Sequence, residues 1–240
     1  MVWNTGRLRG LKEAKERIGD IENEVSQLLL KKKKIRVLEV GCGYGRILLE
    51  LKRIFGNKIT AEGINLEKEW NEELCRKFGL EEKIFTKKDI NKNLPKIHIL
   101  DVGKNIPLKS NSYDLIISQA TVQYIGDKAR FLEEVNRLLT NKGKAIIEIQ
   151  EIKSSHPPEY SNLFEIWENC KIIQFRDYIK RFRNIKVNKS KISGKNWSII
   201  NMKKSNNFKL NLKLMNCFGY DLNRICKNLR GDKAVYTVLK

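Results

Sequence analysis

The apolar residues closest to the N-terminus recur at the spacing of an α-helix. They lie three or four positions apart and so fall along one stripe: Leu11, Ala14, Ile18, Ile21, Val25 and Leu28. The stripe is too short to argue for a coiled coil, so we expect the helix to dock onto the domain that follows. A dimer seam is the less favoured use. Residues 1–34 are therefore predicted to form an amphipathic helix and a basic linker.

From Ile35 onward, short apolar runs alternate with helical stretches. Strands are predicted over the runs IRVLEV, KITAEGI, KIHIL, YDLIIS and KAIIEI, and helices over 46–55, 67–78 and 128–139. Strands and helices that alternate in this way predict an α/β fold, in which a parallel sheet carries helices on both faces. The core of this fold is expected at 35–150.

The pattern changes again after Glu151. Residues 151–206 combine the stretch EIKSSHPPEY, several aromatic residues and a lysine-rich run, which favours a cap inserted after the fifth strand. The remaining segment, 207–240, begins with FKLNLKLMNCF, which we interpret as helical. It continues with YDLNRICKNL and KAVYTVLK, which suit an antiparallel pair that completes the core sheet at its edge.

Positive charge is concentrated in the second half of the chain. The formal net charge is +20, from 48 basic and 28 acidic residues, and the window 171–213 holds 13 basic residues against one acid. A field of this size attracts polyanions, so 171–213 is a candidate surface for RNA or another anionic partner. Biased lysine usage on a solvated face explains the composition equally well, because a basic face alone does not establish nucleic-acid binding.

Three other classes of protein or site find no support in the sequence. No apolar run approaches the roughly 18 residues of a membrane span, and the N-terminus lacks the apolar region of a signal peptide, so we expect a soluble, cytoplasmic protein. The five cysteines form no C-x-x-C pair and only two histidines accompany them. No metal site is therefore predicted, and the cysteines are expected to be reduced.

Three glycines at every second position follow the first predicted strand, in the stretch EVGCGYG. Gly41 and Gly43 allow a tight turn and contact between a ligand and the backbone, and Gly45 allows close packing of the following helix. A dinucleotide site usually has the spacing G-x-G-x-x-G. Here the spacing is G-x-G-x-G, and Glu39 would repel a phosphate but can face an ammonium group. The stretch therefore favours a ligand with a zwitterionic amino-acid moiety.

This stretch resembles the first motif of the class I S-adenosylmethionine (SAM) dependent methyltransferases, (D/E)-x-G-x-G-x-G at the end of the first strand. The resemblance, to a core of the methyltransferase type 11 kind, covers about 35–150 and includes ARFLEEVNRLLTNKGKAIIEI, which is similar to the family's closing helix and fifth strand. It implies a Rossmann-like, seven-stranded, mostly parallel sheet with an antiparallel C-terminal strand. It also implies SAM as cofactor and direct in-line methyl transfer.

The same resemblance assigns cofactor roles to residues after the second and third strands. Asn65, in AEGINLEKE, stands where the family has the acidic residue that binds the ribose hydroxyls, and Glu62 is a rival for this role. Asp101, in HILDVGKNIP, matches the adenine-contacting position, with Asp89 of KKDINKNLP as the alternative. The remaining residues that the resemblance places around SAM are Cys42, Leu66, Val102 and Ser118.

The acceptor side is expected in the loop after the fourth strand. Methyl transfer from a sulfonium mainly requires alignment of the acceptor and exclusion of water. Gln119, Gln123 and Tyr124 are the candidates there, although packing of Tyr124 in the core explains it equally well. His156, which follows the fifth strand, is a candidate general base or a plain loop histidine. The loop lacks the Asn/Asp-Pro-Pro-aromatic element of enzymes that methylate exocyclic base amines or glutamine.

Three functions are consistent with these features. The first, slightly favoured by local charge, is methylation of RNA or another polyanion held by 171–213, with Trp167, Phe175, Tyr178, Phe182 or Trp197 available for stacking. The second is a small-molecule methyltransferase whose inserted segment caps the acceptor. The third is a non-catalytic SAM-binding regulatory subunit, which the Asn65 departure would suit.

Overall fold

The computed structural model of the chain describes residues 9–66, 70–125, 127–150, 164–169, 171–190, 197–215 and 234–238. Its helices are α1 (Leu11–Arg17), α2 (Ile21–Leu29), α3 (Arg46–Phe55), α4 (Glu72–Glu81), α5 (Ile90–Asn93), α6 (Lys128–Leu138) and α7 (Phe175–Ile179). Its strands are β1 (Ile35–Val40), β2 (Ile59–Asn65), β3 (Lys96–Ile99), β4 (Tyr113–Ser118), β5 (Leu139–Gln150), β6 (Phe164–Glu168), β7 (Lys171–Gln174), β8 (Ile185–Lys189), β9 (Trp197–Lys203), β10 (Leu212–Met215) and β11 (Ala234–Val238). Over the described ranges, no helix has the length and apolar character needed to cross a membrane.

The main sheet has seven strands in the order β3-β2-β1-β4-β5-β9-β8. Strands β1 to β5 are parallel to one another, whereas β9 is antiparallel to both β5 and β8. The predicted fold class, a Rossmann-like and mostly parallel sheet with antiparallel C-terminal strands, is confirmed. Parallel strands end at a common edge, so the residues that follow β1, β2 and β4 are brought together there.

Each face of the main sheet has its own apolar core. On one face, Val37, Leu115 and Ile146 belong to a buried cluster that also contains residues of α1, α2 and α3. On the opposite face, Leu38 and Ile116 belong to a cluster that contains residues of α6 and α7. This arrangement explains the near-continuous apolar runs of β1 and β4, because both faces of these strands are covered.

The N-terminal stripe docks onto the sheet as expected, but it forms two helices instead of one. Ala14, Ile18, Ile21 and Val25 are all buried in the core beneath α3. The helix breaks at Gly19, whose φ is +119°, and restarts at Asp20, whose side chain accepts a hydrogen bond from Asn23 N at 2.9 Å. A glycine followed by a good N-cap residue is sufficient to end one helix and begin the next.

The placement of the C-terminal strands differs from the sequence prediction. The outer strands of the main sheet, β9 and β8, come from 185–203, within the segment expected to form a cap. Strands β10 and β11 instead join β6 and β7 in a separate sheet with the order β10-β11-β6-β7. The helical interpretation of FKLNLKLMNCF is wrong for Leu212–Met215, which form strand β10. Apolar and polar residues alternate there with a period of two, as a half-buried strand requires.

A charged network lies beneath the middle of the main sheet around Glu62. The carboxylate of Glu62 is 3% exposed and accepts hydrogen bonds from Arg36 Nη2 at 2.5 Å and Tyr113 Oη at 2.9 Å. His98 Nε2 lies 2.7 Å from Glu62 Oε2, the oxygen to which Tyr113 also donates. Burial alone would raise the pKa of Glu62, but the bonds to His98, Arg36 and Tyr113 together lower it below its usual value. The ionised form of Glu62 therefore stabilises the fold.

We expect Glu62→Gln to lower the free energy of unfolding at pH 7 by about 1–3 kcal/mol, because charge-assisted bonds become neutral ones. Since the folded pKa is depressed, this stabilisation is complete above the usual glutamate value of about 4.3 and is lost as the pH falls through the folded pKa. Thermal unfolding of both proteins from about pH 7 to about pH 3 should show the gap closing in acid. The exposed Glu73→Gln is the control, and a gap that persists unchanged into acid would contradict this role.

Candidate cofactor and acceptor site

The glycine loop crosses from β1 to α3 at the edge where the parallel strands end. Gly41 N donates to Ile64 O at 2.9 Å, which ties the start of the loop to β2. Gly45 N donates to Cys42 O at 2.8 Å and closes the turn. Gly41, Gly43 and Gly45 have φ angles of +72°, +53° and +74°, in the left-handed region that side chains other than glycine rarely occupy.

The three glycines meet different surroundings. A Cβ atom built at Gly41 would lie 2.0 Å from Thr121 Oγ1, so the loop after β4 excludes a side chain there. A Cβ at Gly45 would lie 3.2 Å from Pro95 Cγ, which shows that this glycine packs against the segment before β3. A Cβ at Gly43 would meet no atom within 4 Å. Of these three glycines, Gly43 alone borders open space, so a ligand could approach the backbone there.

Glu39 is the second feature that fits a zwitterionic ligand. It lies on β1 just before the loop, is 5% exposed, and its Oε2 atom has no hydrogen-bond partner among the described residues. Burial, with a smaller contribution from Glu50, raises the pKa of Glu39 well above its usual value. A ligand ammonium group would supply both the missing hydrogen bond and a compensating charge. The unpartnered carboxylate oxygen of Glu39 beside the loop thus fits the ammonium group at the amino-acid end of SAM.

Asn65, predicted to bind the ribose, also supports the loop. Its Nδ2 atom donates to Gly43 O at 3.0 Å, and its Oδ1 atom accepts from Leu66 N at 3.1 Å. Glu62, the rival for the ribose, lies on the opposite face of β2, where Arg36, His98 and Tyr113 bind its carboxylate. Asn65 therefore lies beside the glycine loop, whereas Glu62 faces away from it.

The predicted adenine side follows β3. Leu100 N donates to Asn65 O at 3.0 Å, which brings Asp101 to the end of β2. Asp101 accepts a bond from Gly103 N at 2.9 Å and is about half exposed, whereas Val102 is buried and Leu66 is 40% exposed. The alternative, Asp89, precedes α5 and accepts from Thr86 Oγ1 at 2.6 Å. Because Asp89 lies before β3 and Asp101 follows it, the structure favours Asp101 of the two. The contact of Asp101 with adenine stays a prediction.

The loop after β4 holds the predicted acceptor residues. Ser118 is fully buried and donates to Val40 O at 3.1 Å, so it joins β4 to β1. Gln119 is 8% exposed, and its Nε2 atom has no partner among the described residues. Tyr124 is 46% exposed, so packing in the core does not explain it. The side chain of Gln123 and the whole of His156 lie outside the described residues.

The N-terminal helix α1 reaches this same edge of the sheet. Glu148 of β5 is fully buried, and Arg17 Nη2 donates to its two oxygens at 2.8 and 3.0 Å. Ala120 N, in the loop after β4, donates to Glu148 Oε2 at 3.0 Å. At the other end of α1, Leu11 N donates to Glu50 Oε2 at 2.5 Å. Helix α1 therefore joins β5, the loop after β4, and α3.

Four residues near the site were absent from the sequence predictions. Arg9 and Arg17 lie in the N-terminal segment, and Glu148 interrupts the apolar run of β5, which is the signal that a buried partner was needed. Lys128 is 2% exposed and donates to Ile125 O, and burial lowers its pKa to about 7. A lysine at the start of a helix is unfavourable for the helix dipole, and this unusual position is the sequence feature that could have drawn attention to Lys128.

Gly43→Ala tests the loop. A methyl group there would occupy the open space that we assign to the ligand, so we expect SAM affinity to fall by at least about tenfold in calorimetric titration. Gly56→Ala is a matched control, since Gly56 has a φ of +55° and open space around it at the far end of α3. Gly43→Ala should lose about 1–2 kcal/mol of stability, and Gly56→Ala at least as much, because the ψ of −130° at Gly56 lies outside the left-handed helical region. Equal SAM affinity in the two variants would contradict the placement.

Asn65→Asp tests the support of the loop. Aspartate restores the acidic residue that the resemblance implies at this position, but it cannot donate to Gly43 O and would place a charge beside that carbonyl oxygen. We expect SAM affinity to fall by about fivefold, the equivalent of one lost hydrogen bond, and Asn65→Ala to behave similarly. Tighter SAM binding by Asn65→Asp would show that the ribose contact outweighs the loop contact.

Comparison with known proteins places the chain in a family. It is 29% identical over 116 residues to the glycine/sarcosine/dimethylglycine N-methyltransferase of Actinopolyspora halophila, a match that covers 46% of this chain and 18% of that protein. It is 25% identical over 142 residues to the arsenite methyltransferase of Mus musculus, covering 56% of this chain and 36% of that protein. The matches thus span well under half the length of these relatives.

A solved structure of a SAM-dependent methyltransferase from Aquifex aeolicus aligns with a TM-score of 0.44 at 20% identity, over 79% of this chain and 91% of that one. The family profile described as a methyltransferase domain matches residues 31–188, from just before β1 to within β8. Because this match covers more than half of the chain, the chain belongs to the methyltransferase-domain family, the class I SAM-dependent methyltransferases, which confirms the resemblance and the cofactor inferred from the glycine motif.

Proposed function

We propose that this chain transfers the methyl group of SAM to a small-molecule acceptor. The observation that carries the proposal is the attachment of α1 to the elements around the acceptor side. Helix α1 is bonded to β5 through Arg17 and Glu148 and to α3 through Leu11 and Glu50. An edge of the sheet bordered in this way suits a small acceptor that can be enclosed, and enclosure keeps water from the reacting atoms.

Each residue in the proposed site has a binding or positioning role. When bound, SAM supplies a methyl group already activated by the sulfonium charge. Glu39 is placed to accept a hydrogen bond from the ammonium group, and Gly43 lets the backbone approach the ligand. Asn65 holds the loop in shape through its bond to Gly43 O. Gln119 and Tyr124 are left to contact the acceptor and align it for in-line displacement.

The basic segment lends less support to an RNA acceptor than its composition suggested. Phe175 and Tyr178 are buried in the core and are therefore not available for stacking on bases, and the partly buried ring of Phe182 packs against that of Phe208 at 5.4 Å. Part of the charge is also paired internally, as in Arg181 with Glu168 at 2.8 Å. Two relatives, named for glycine and its derivatives and for arsenite, act on small molecules, which supports the small-acceptor alternative.

The acceptor class can be tested with SAM labelled in its methyl group. Purified protein would be incubated with either a low-molecular-mass metabolite fraction or total RNA from a bacterial lysate, and the label counted in each. We expect label in the small-molecule fraction with wild-type protein and with Gly56→Ala, and at least about tenfold less with Gly43→Ala at limiting SAM. Label in RNA would favour the polyanion hypothesis. Normal SAM binding without transfer to either pool would favour the non-catalytic subunit.

A further inference from the structure

A cluster of charged residues lies where the N-terminal segment and α1 approach the loop after β4. The guanidinium of Arg9 interacts electrostatically with Arg17, Glu148 and Tyr124. The Arg17 guanidinium also stacks on Trp197, with Cζ 5.1 Å from the ring centroid. Tyr124 lies in the loop after β4 and Glu148 lies near the end of β5, so the cluster borders the acceptor side of the proposed site.

The backbone next to Arg9 is firmly placed. A Cβ atom built at Gly10 would lie 2.5 Å from Arg46 Nε and from Glu50 Oε1, so Gly10 rests directly on the first turns of α3. Gly10 N donates to Glu13 Oε2 at 2.8 Å, and Leu11 N is bonded to Glu50. Arg9 therefore projects from an anchored position beside the glycine loop, because α3 begins at Arg46, directly after Gly45.

The positive charge of this cluster exceeds its negative charge. Glu148 already receives hydrogen bonds from Arg17 Nε, Arg17 Nη2 and Ala120 N. Arg17 thus neutralises Glu148, and Arg9 forms no hydrogen bond or ion pair with the residues that the structure describes. Burial, and then repulsion by Arg17, lower the pKa of Arg9. A half-buried guanidinium in this state gains from an anion that brings charge and hydrogen-bond acceptors together.

A second hydrogen-bond donor, Gln119 Nε2, directly follows the end of β4. Gln119 Nε2 is buried and without a partner among the described residues. Gln119 directly precedes Ala120, whose amide binds Glu148, so its backbone adjoins the Arg17–Glu148 pair. An amide N–H and a guanidinium are both donors that a carboxylate or phosphate oxygen can accept from.

We propose that Arg9 and Gln119 form an anion-binding subsite that holds a carboxylate or phosphate group of the acceptor. This inference rests on the proposed function and narrows it to small acceptors that carry an anionic group next to the atom to be methylated. The planar fork of Arg9 suits two oxygens of one group, and Gln119 supplies a further donor. Arg17 acts as a positioning residue, because its bond to Glu148 leaves Arg9 as the cation available to the acceptor.

Selective labelling of arginine by phenylglyoxal tests the subsite without turnover. The wild-type protein would be saturated with S-adenosylhomocysteine and labelled with and without acetate or inorganic phosphate, and modification would be quantified by peptide mass spectrometry. We expect either anion, in the millimolar range, to slow modification of Arg9 several-fold and to leave the exposed Arg53 unaffected. Gln119→Ala should weaken this protection.

Two results would overturn the subsite. One is unchanged Arg9 labelling at every anion concentration. The other is protection by S-adenosylhomocysteine alone but not by 5′-methylthioadenosine, which lacks the amino-acid moiety, because Arg9 would then bind the cofactor's own carboxylate. Neither result depends on methyl transfer, so failure of the subsite is distinguishable from failure of the transfer assay described above.

A kinetic measurement complements the labelling once the labelled acceptor is isolated. We expect Arg9→Ala to raise the KM for that acceptor by roughly tenfold while the KM for SAM is unchanged, and Arg9→Lys to be intermediate because lysine keeps the charge but not the fork. Arg53→Ala is the control. An unchanged acceptor KM in Arg9→Ala would contradict the proposal.

Discussion

The buried carboxylate of Glu148 is the constraint on which this end of the molecule depends. A fully buried carboxylate is strongly destabilising unless it is paired and hydrogen-bonded, and Glu148 obtains three donated bonds from Arg17 and one from Ala120. Those bonds fix α1 against β5 and set the course of the loop after β4. That loop in turn holds Thr121 against Gly41, so the cofactor loop also depends on the same pair.

The glycine motif combines two requirements that the sequence does not separate. Gly41 and Gly45 are small because Thr121 and Pro95 occupy the neighbouring volume, so the protein's own packing demands them. Gly43 faces open space, so the protein's own demand for glycine there is only its left-handed φ of +53°, and a ligand in that space would add a second demand. Together with the unpartnered Glu39 Oε2, this glycine gives the cofactor assignment a basis in the structure, in addition to the basis in the motif.

The sequence predicted the first half of the fold well, because β1, β2 and β4 are rich in apolar residues, are buried on both faces and are separated by helices of clear period. The second half was harder, since β8 and β10 are short strands in which lysine or asparagine alternates with apolar residues. Composition suggested a cap where the chain forms the outer strands. Glu148 within the apolar run of β5 indicates a buried partner, but nothing local identifies that partner as Arg17, 131 positions away, so the pair required the three-dimensional arrangement.

The two sheets are interleaved along the chain. Strands β6 and β7 precede the outer strands of the main sheet, whereas β10 and β11, which complete the smaller sheet, follow them. Strand β6 lies parallel to β11, some 70 positions later in sequence. The smaller sheet is therefore not one contiguous segment of the chain, and recombination could not exchange it as a single piece. Transplanting it between family members would mean moving two segments together, because a β6–β7 hairpin left alone is too small to be independently stable.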